Sequence, residues 1–154
     1  HLVLSTLHTN DAPSAVTRLV EMGIEPFLVG SSLDCVMAQR LARRLCQWCR
    51  EPYAPTRSEL GAARWPFGEV EAPAQLWRAV GCRSCAGTGY RGRIALHEVM
   101  PVGEEIERLA VERASSHELQ RVAVAEGMEV LRTDGLRKAA AGETTLAEVL
   151  RVAV

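Results

Sequence analysis

The sequence predicts an α/β fold with a cysteine-rich insertion and a small helical bundle at its C-terminal end. Three observations carry this reading. Leu2 to Leu7 is an apolar run that turns polar at its end and leads into a helical pattern, the strand–loop–helix order of a layered sheet protein. Two C-x-x-C pairs, Cys46–Cys49 and Cys82–Cys85, flank a proline-containing stretch. From Gly103 onward apolar residues recur with helical period, and Ser115-x-x-Glu118 and Thr145-x-x-Glu148 read as capping boxes.

The elements follow in chain order. After the strand over Leu2–Leu7, Asn10 or Asp11 can cap a helix whose first turn takes Pro13 and whose apolar stripe is Val16, Leu19 and Val20. Gly23 ends it, and a second helix starts near Pro26 and covers Leu28, Val29 and Leu33. Residues 36–45 fit both periods: Leu33, Met37, Leu41 and Leu45 share a helix face, and Met37, Gln39, Leu41, Arg43 and Leu45 share a strand face. Residues 51–81 hold four of the seven prolines and read as an irregular excursion. Arg93 to Met100 reads as a strand, and four helices are expected near 103–113, 116–126, 130–141 and 145–152. The chain starts with His1, and an apolar strand that begins at once needs neighbours on both sides, so a piece of a larger protein is expected.

Hydrophobic residues make up 47% and charged residues 24%, the balance of a globular protein rather than a disordered one. No apolar run approaches the roughly 18 residues of a membrane helix. The net charge of −1 conceals a basic middle and an acidic tail: residues 36–50 carry four Arg and no acid, residues 82–93 three Arg and no acid, and residues 101–154 seven bases against ten acids.

Two C-x-x-C knuckles supply what a tetrahedral zinc ion needs, since a two-residue gap lets both thiolates face one metal. Disulfides compete, but with no secretory signal the chain reads as intracellular; a redox pair would not require a second pair. A closed set of four thiolates leaves no position for water, so the zinc would be structural. Both knuckles must then meet, and the segments leading in and out can pair as an antiparallel hairpin, which favours strand for residues 36–45. The glycines at 87 and 89 let the backbone turn tightly and point amides at thiolates. Cys35, in an apolar context, is expected in the core.

Thr6, His8, Thr9 and Asn10 lie where the strand ends, the edge at which open α/β sheets bind ligands. A histidine there can orient a phosphate; otherwise His8 is a loop residue before a capped helix. No G-x-x-x-x-G-K-[ST] occurs, so the chain has no phosphate loop of its own.

Taken together, His1-Leu-Val-Leu-Ser-Thr-Leu-His-Thr-Asn-Asp-Ala12 resembles the histidine box of the secretion ATPases that drive type II secretion and type IV pilus assembly, the general secretory pathway protein E type. Ala38 to Cys49, Gly81 to Cys85, Gly89 to Arg93, His97-Glu98, Asp134 to Lys138 and Gly142 to Leu146 resemble the later segments of that family in order. The resemblance implies the C-terminal part of a RecA-like P-loop ATPase domain, with a four-Cys zinc-binding insertion and a C-terminal helical bundle. It implies core residues at 1–45, a zinc subdomain at 46–92, a return strand at 93–100 and a helical subdomain at 101–154. His8 matches the histidine placed near the γ-phosphate, Thr6 lies on the same strand end, and Cys46, Cys49, Cys82 and Cys85 match the zinc ligands. The parent would be a homohexamer at the cytoplasmic side of the bacterial inner membrane. It would use ATP and Mg to drive a membrane platform protein and the secretion or pilus machinery, and would bind no nucleic acid. The four cysteines favour assembly or secretion over pilus retraction. The competing readings are a nucleic-acid-binding zinc ribbon, suited by the basic strips with Trp48 and Tyr90, and a DnaJ-like chaperone module, suited by Cys82-x-x-Cys85-x-Gly87-x-Gly89.

Overall fold

Proline at the first helical position starts both N-terminal helices, α1 (Pro13–Glu21) and α2 (Pro26–Ser32), where its missing N–H costs no hydrogen bond. The structure is a computed structural model that describes residues 1–66 and 72–153. Its remaining elements are β1 (Cys35–Leu45), β2 (Glu51–Tyr53), α3 (Arg57–Ala62), β3 (Leu76–Arg78), β4 (Tyr90–Pro101), α4 (Glu104–Val111), α5 (Ser116–Ala125), α6 (Leu131–Ala140) and α7 (Leu146–Val152). They divide into two compact units, His1–Gln39 with His97–Val130 and Arg40–Leu96 with Leu131–Val154.

The first unit packs α1, α2, α4 and α5 around Val16, Val29, Ile106, Leu109, Leu119 and Ala123. The Asp11 carboxylate accepts from the Ser14 amide at 2.8 Å, so the expected cap of α1 is Asp11, and Gly23 at φ +89° ends that helix. Ser115 and Glu118 form the full reciprocal capping box at α5. Within this unit the ends of β1 and β4 pair: the Val102 amide donates to the Asp34 carbonyl at 3.0 Å, and Gln39 lies opposite His97.

The second unit holds the other ends of β1 and β4, the β2–β3 pair, α3, α6 and α7. The Cys46 amide donates to the Gly89 carbonyl at 2.9 Å, and together with Asp34 opposite Val102 this makes the β1–β4 register antiparallel. Strand is therefore the outcome for the segment whose period was ambiguous. β2 pairs antiparallel with β3, with Glu51 opposite Arg78 and Tyr53 opposite Leu76. α6 packs on α7, and the core is Ala42, Leu45, Leu96, Leu136, Ala139 and Val149. The α6–α7 connection is stitched to β1: the Leu45 amide donates to the Glu143 carbonyl at 2.9 Å, and the Thr144 hydroxyl donates to the Arg43 carbonyl at 2.8 Å.

Four expectations need correction. Leu2–Leu7 carries no strand, and Leu2, Val3 and Leu4 are 78–89% exposed; apolarity asks for burial, but a strand exists only through its ladder, and no described strand pairs with this segment. Cys35 is exposed rather than in the core, because strand alternation sends Cys35, Met37 and Gln39 outward and Ala38 inward. Residues 51–81, expected to be irregular, hold β2, α3 and β3, though residues 67–71 lie outside the described residues. Elements of three to six residues leave no period to read, but Thr56-x-x-Glu59 is a complete capping box in the sequence and in the structure. Finally, the four C-terminal helices form close to their expected bounds but are divided between the units, α4 and α5 in the first and α6 and α7 in the second.

Thr145 and Glu148 make only half a box. Thr145 Oγ1 accepts from the Glu148 amide at 3.2 Å, while the Glu148 carboxylate turns to β1 and accepts from the Arg43 amide at 3.0 Å. The Arg43 and Arg151 guanidinium groups complete the set at 2.6 and 2.7 Å, around a carboxylate that is 2% exposed. The Arg43 guanidinium stacks 4.1 Å over the Tyr90 ring, whose hydroxyl lies 3.0 Å from Thr145 Oγ1. The bond from Arg151, with those from Arg43, outweighs burial and holds the Glu148 carboxyl down to about 2. Replacement of Glu148 by Ala is expected to cost about 2–3 kcal/mol at pH 7, less than a fully buried pair because both guanidinium groups are half-exposed. Because the carboxyl is held low in the fold, this stabilisation is complete above the ordinary carboxylate range and disappears as pH falls toward about 2. Urea unfolding of wild type and E148A at pH 7 and pH 3 should show the gap narrowing at the lower pH; a constant or widening gap would contradict it.

Candidate metal centre

Each cysteine pair sits on a backbone turn that its own sequence builds. In the first knuckle the Cys49 and Arg50 amides both donate to the Cys46 carbonyl, at 3.3 and 3.1 Å. In the second, Arg83–Cys85 forms a single 3-10 turn, the Cys85 and Gly87 amides donate to the Cys82 carbonyl, and Ala86 and Gly87 are left-handed at φ +51° and +75°. Two glycines make close packing possible. A Cβ on Gly89 would lie 2.6 Å from the Ala79 Cβ, and one on Gly81 would run into the Gly87 carbonyl; both have positive φ.

Those turns bring all four sulfurs within 4.8 Å of one another. Cys46 Sγ lies 3.9 Å from Cys82 Sγ, Cys49 Sγ 3.8 Å from Cys85 Sγ, and Cys82 Sγ 3.8 Å from Cys85 Sγ. These separations exclude disulfides, whose sulfurs stand about 2.05 Å apart. They match the edge of a metal tetrathiolate, about 3.8 Å for a tetrahedron with bonds of about 2.3 Å. Backbone amides also face the sulfurs, Gly81 toward Cys49 at 3.3 Å and Cys82 and Gly89 toward Cys85 at 3.1 and 3.2 Å. Amides aimed at sulfur are what thiolate ligands require, and the glycine reading made from the sequence holds at Gly89. Burial pushes the Cys49 thiol up to about 12 despite the Gly81 amide. At Cys85 burial acts the same way, but the Cys82 and Gly89 amides and the neighbouring thiols outweigh it and bring that thiol down to about 6. The four sulfurs at these separations fit a metal ion, and a site made of four thiolates would leave no open position for water or substrate.

Around the knuckles, the Arg50 guanidinium stacks 4.3 Å over the Trp77 ring and donates to the Gly142 carbonyl, so this arginine of the basic strip is engaged within its own unit. Trp48 is 78% exposed at the tip of the first knuckle. Among the described residues, the four cysteines are the group of three or more potential metal donors that converges on one point. His8 and Thr6 are not part of that group; both are exposed, in the other unit, on the segment without regular secondary structure that precedes α1. Sequence reasoning missed two carboxylates. Glu148 was read only as a helix cap, and Glu98, 2% exposed on β4, accepts from the Ala12 amide at 2.8 Å. The readable signal for Glu98 was an acid on the buried parity of a strand, between Leu96 and Met100.

The family model described as type II/IV secretion system protein matches residues 1–151. The chain is 50% identical over 151 residues to a type IV pilus assembly ATPase PilB of Myxococcus xanthus, covering 97% of this chain and 26% of that protein. It is 49% identical over 152 residues to a type II secretion system protein HxcR of Pseudomonas aeruginosa, covering 99% and 28%. To a type II secretion system protein E of Aeromonas hydrophila it is 47% identical over 153 residues, covering 99% and 30%. The chain thus spans between a quarter and a third of the length of these relatives.

Purified protein is expected to carry about one equivalent of metal, and Cys85→Ser to lose it. Gly89→Val should weaken metal retention without removing a ligand, because the β-carbon meets Ala79 and φ is left-handed. Elemental analysis checks both; under half an equivalent in the wild type, with a Cys46–Cys49 disulfide found by mass spectrometry, would overturn the site.

Proposed function

The chain belongs to the type II/IV secretion system protein family, and from that premise we propose that it is the C-terminal part of a RecA-like ATPase domain whose parent powers type IV pilus assembly or type II secretion. The observation that carries this reading is the match of residues 1–151, joined to relatives of both kinds at about half identity over nearly the whole chain. The parent hydrolyses ATP, with Mg held by residues outside this sequence, and acts as a homohexamer at the cytoplasmic face of the inner membrane. There it drives a membrane platform protein of the secretion or pilus machinery. Among the described residues no helix is long and apolar enough to cross a membrane.

In this reading Cys46, Cys49, Cys82 and Cys85 hold zinc, the metal suited to four thiolates, and its work is structural. The converging sulfurs and the amides aimed at them support that assignment. His8 serves the chemistry, hydrogen-bonding the γ-phosphate or the attacking water, and Thr6 supports it from two residues upstream on the same segment. Such a contact strengthens as charge develops on the phosphoryl oxygens, so it speeds the chemical step more than it tightens binding.

Two measurements test the reading. In the full-length parent, His8→Ala should lower turnover about 10²-fold with nucleotide affinity within a few-fold; unchanged hydrolysis would remove His8 from the mechanism. This chain alone should show no micromolar ATP binding in calorimetry, because it has no phosphate loop whose amides and lysine would hold the β- and γ-phosphates. Tight binding would show that the nucleotide site lies elsewhere.

A further inference from the structure

On the inner face of β4, buried positions alternate as Leu96, Glu98 and Met100, with Leu96 and Met100 fully buried. A carboxylate in such a row costs desolvation that an apolar side chain would avoid, so its place there has to be offset by a specific contact. One such contact runs to the segment containing His8. Glu98 Oε1 accepts from the Ala12 amide at 2.8 Å, and Ala12 and Pro13 are themselves buried at the start of α1. The amide is the last one before a proline, at the positive end of the helix dipole, where a carboxylate is the favoured acceptor. One residue earlier, Asp11 turns its own carboxylate to the Ser14 amide at 2.8 Å. The exit of the exposed segment is therefore held from two sides, at Ala12 by β4 and at Asp11 by the helix it enters, and His8 stands four residues upstream of that anchor.

We propose that Glu98 is a positioning residue: it pins the chain at Ala12 and so fixes where His8 stands when phosphoryl transfer occurs. The catalytic half rests on the role given to His8 above; the anchoring half does not. Glu98 touches no substrate in this account. It acts through about four residues of backbone, and a displacement of about 1 Å at a reacting group is enough to cost a large factor in rate.

The test uses the full-length protein with Glu98→Met, which suits the apolar row but removes the acceptor, and Glu98→Gln, which keeps an acceptor oxygen. Glu98→Met should speed amide hydrogen exchange across residues 9–14 and lower kcat about 10-fold or more, with KM for ATP within about three-fold. Glu98→Gln should restore most of both. Combined with His8→Ala, Glu98→Met should add little further loss, because a residue that acts through His8 has nothing to act on once His8 is gone. Exchange across residues 9–14 that is unchanged in Glu98→Met would overturn the proposal whatever His8 does. An equal loss of kcat with and without His8 would overturn it by showing a general structural role. Unchanged turnover in His8→Ala alone would instead strike the reading of His8, and with it the catalytic half. If Glu98→Met does not fold, Glu98→Asp, which draws the carboxylate back by one methylene, reads the same contact with the same expected directions.

Discussion

The meeting of Cys46, Cys49, Cys82 and Cys85 decides where β1 stops and where β4 starts. The first knuckle begins one residue after β1 ends, and the second is followed within five residues by β4, so sulfur convergence brings those two strand ends together. The Cys46–Gly89 backbone bond carries the ladder up to the cluster. With its mouth closed this way, the chain between the pairs has little core of its own: among the described residues Leu60, Ala63, Trp65 and Leu76 are buried there, and its strands are three residues long. Segments this short are marginal when free, and a metal ion held by the four thiolates would cross-link their base and remove much of the entropy that would melt them.

The other organising contact in the same unit is a carboxylate. Glu148 stands in a helix but serves a strand, taking the Arg43 amide and guanidinium, while Tyr90 from the neighbouring strand supports both Arg43 and Thr145. Glu98 repeats the logic in the first unit, a buried acid on a strand serving the start of a helix. In each case a carboxyl group sits where packing alone would place a methyl group, and in each case it reaches a backbone amide outside its own element.

How much of this could be read from the sequence depended on how local each signal is. The convergence of the four cysteines was legible because ligand spacing is written in four adjacent residues and a shared tetrahedral site would draw distant pairs together. The strand at 35–45 was legible only through that closure, since its own period fits a helix as well. Helix starts at Pro13, Ser115 and Thr145 were legible from caps, and the same rule would have found α3 from Thr56. What could not be read was direction. Ser115–Glu118 and Thr145–Glu148 have one pattern, yet one glutamate returns to its own cap and the other leaves for a strand. Leu2–Leu7 shows the same limit, since an apolar run declares a need for cover without naming what provides it.

The link between α6 and α7 has a consequence for how this sequence can change. Gly142, Glu143, Thr144 and Thr145 are each held, by Arg50, by the Leu45 amide, by the Arg43 carbonyl and by Tyr90, and Glu148 follows one helical turn later. Consecutive residues held in turn by Arg50, by the end of β1 and by Tyr90 of β4 work as a ruler, not as a hinge. Chain length there is constrained to the residue, because one insertion would shift every later partner out of register with Arg43. Diversification by insertion and deletion is thereby steered away from this short link and toward turns where nothing downstream counts residues.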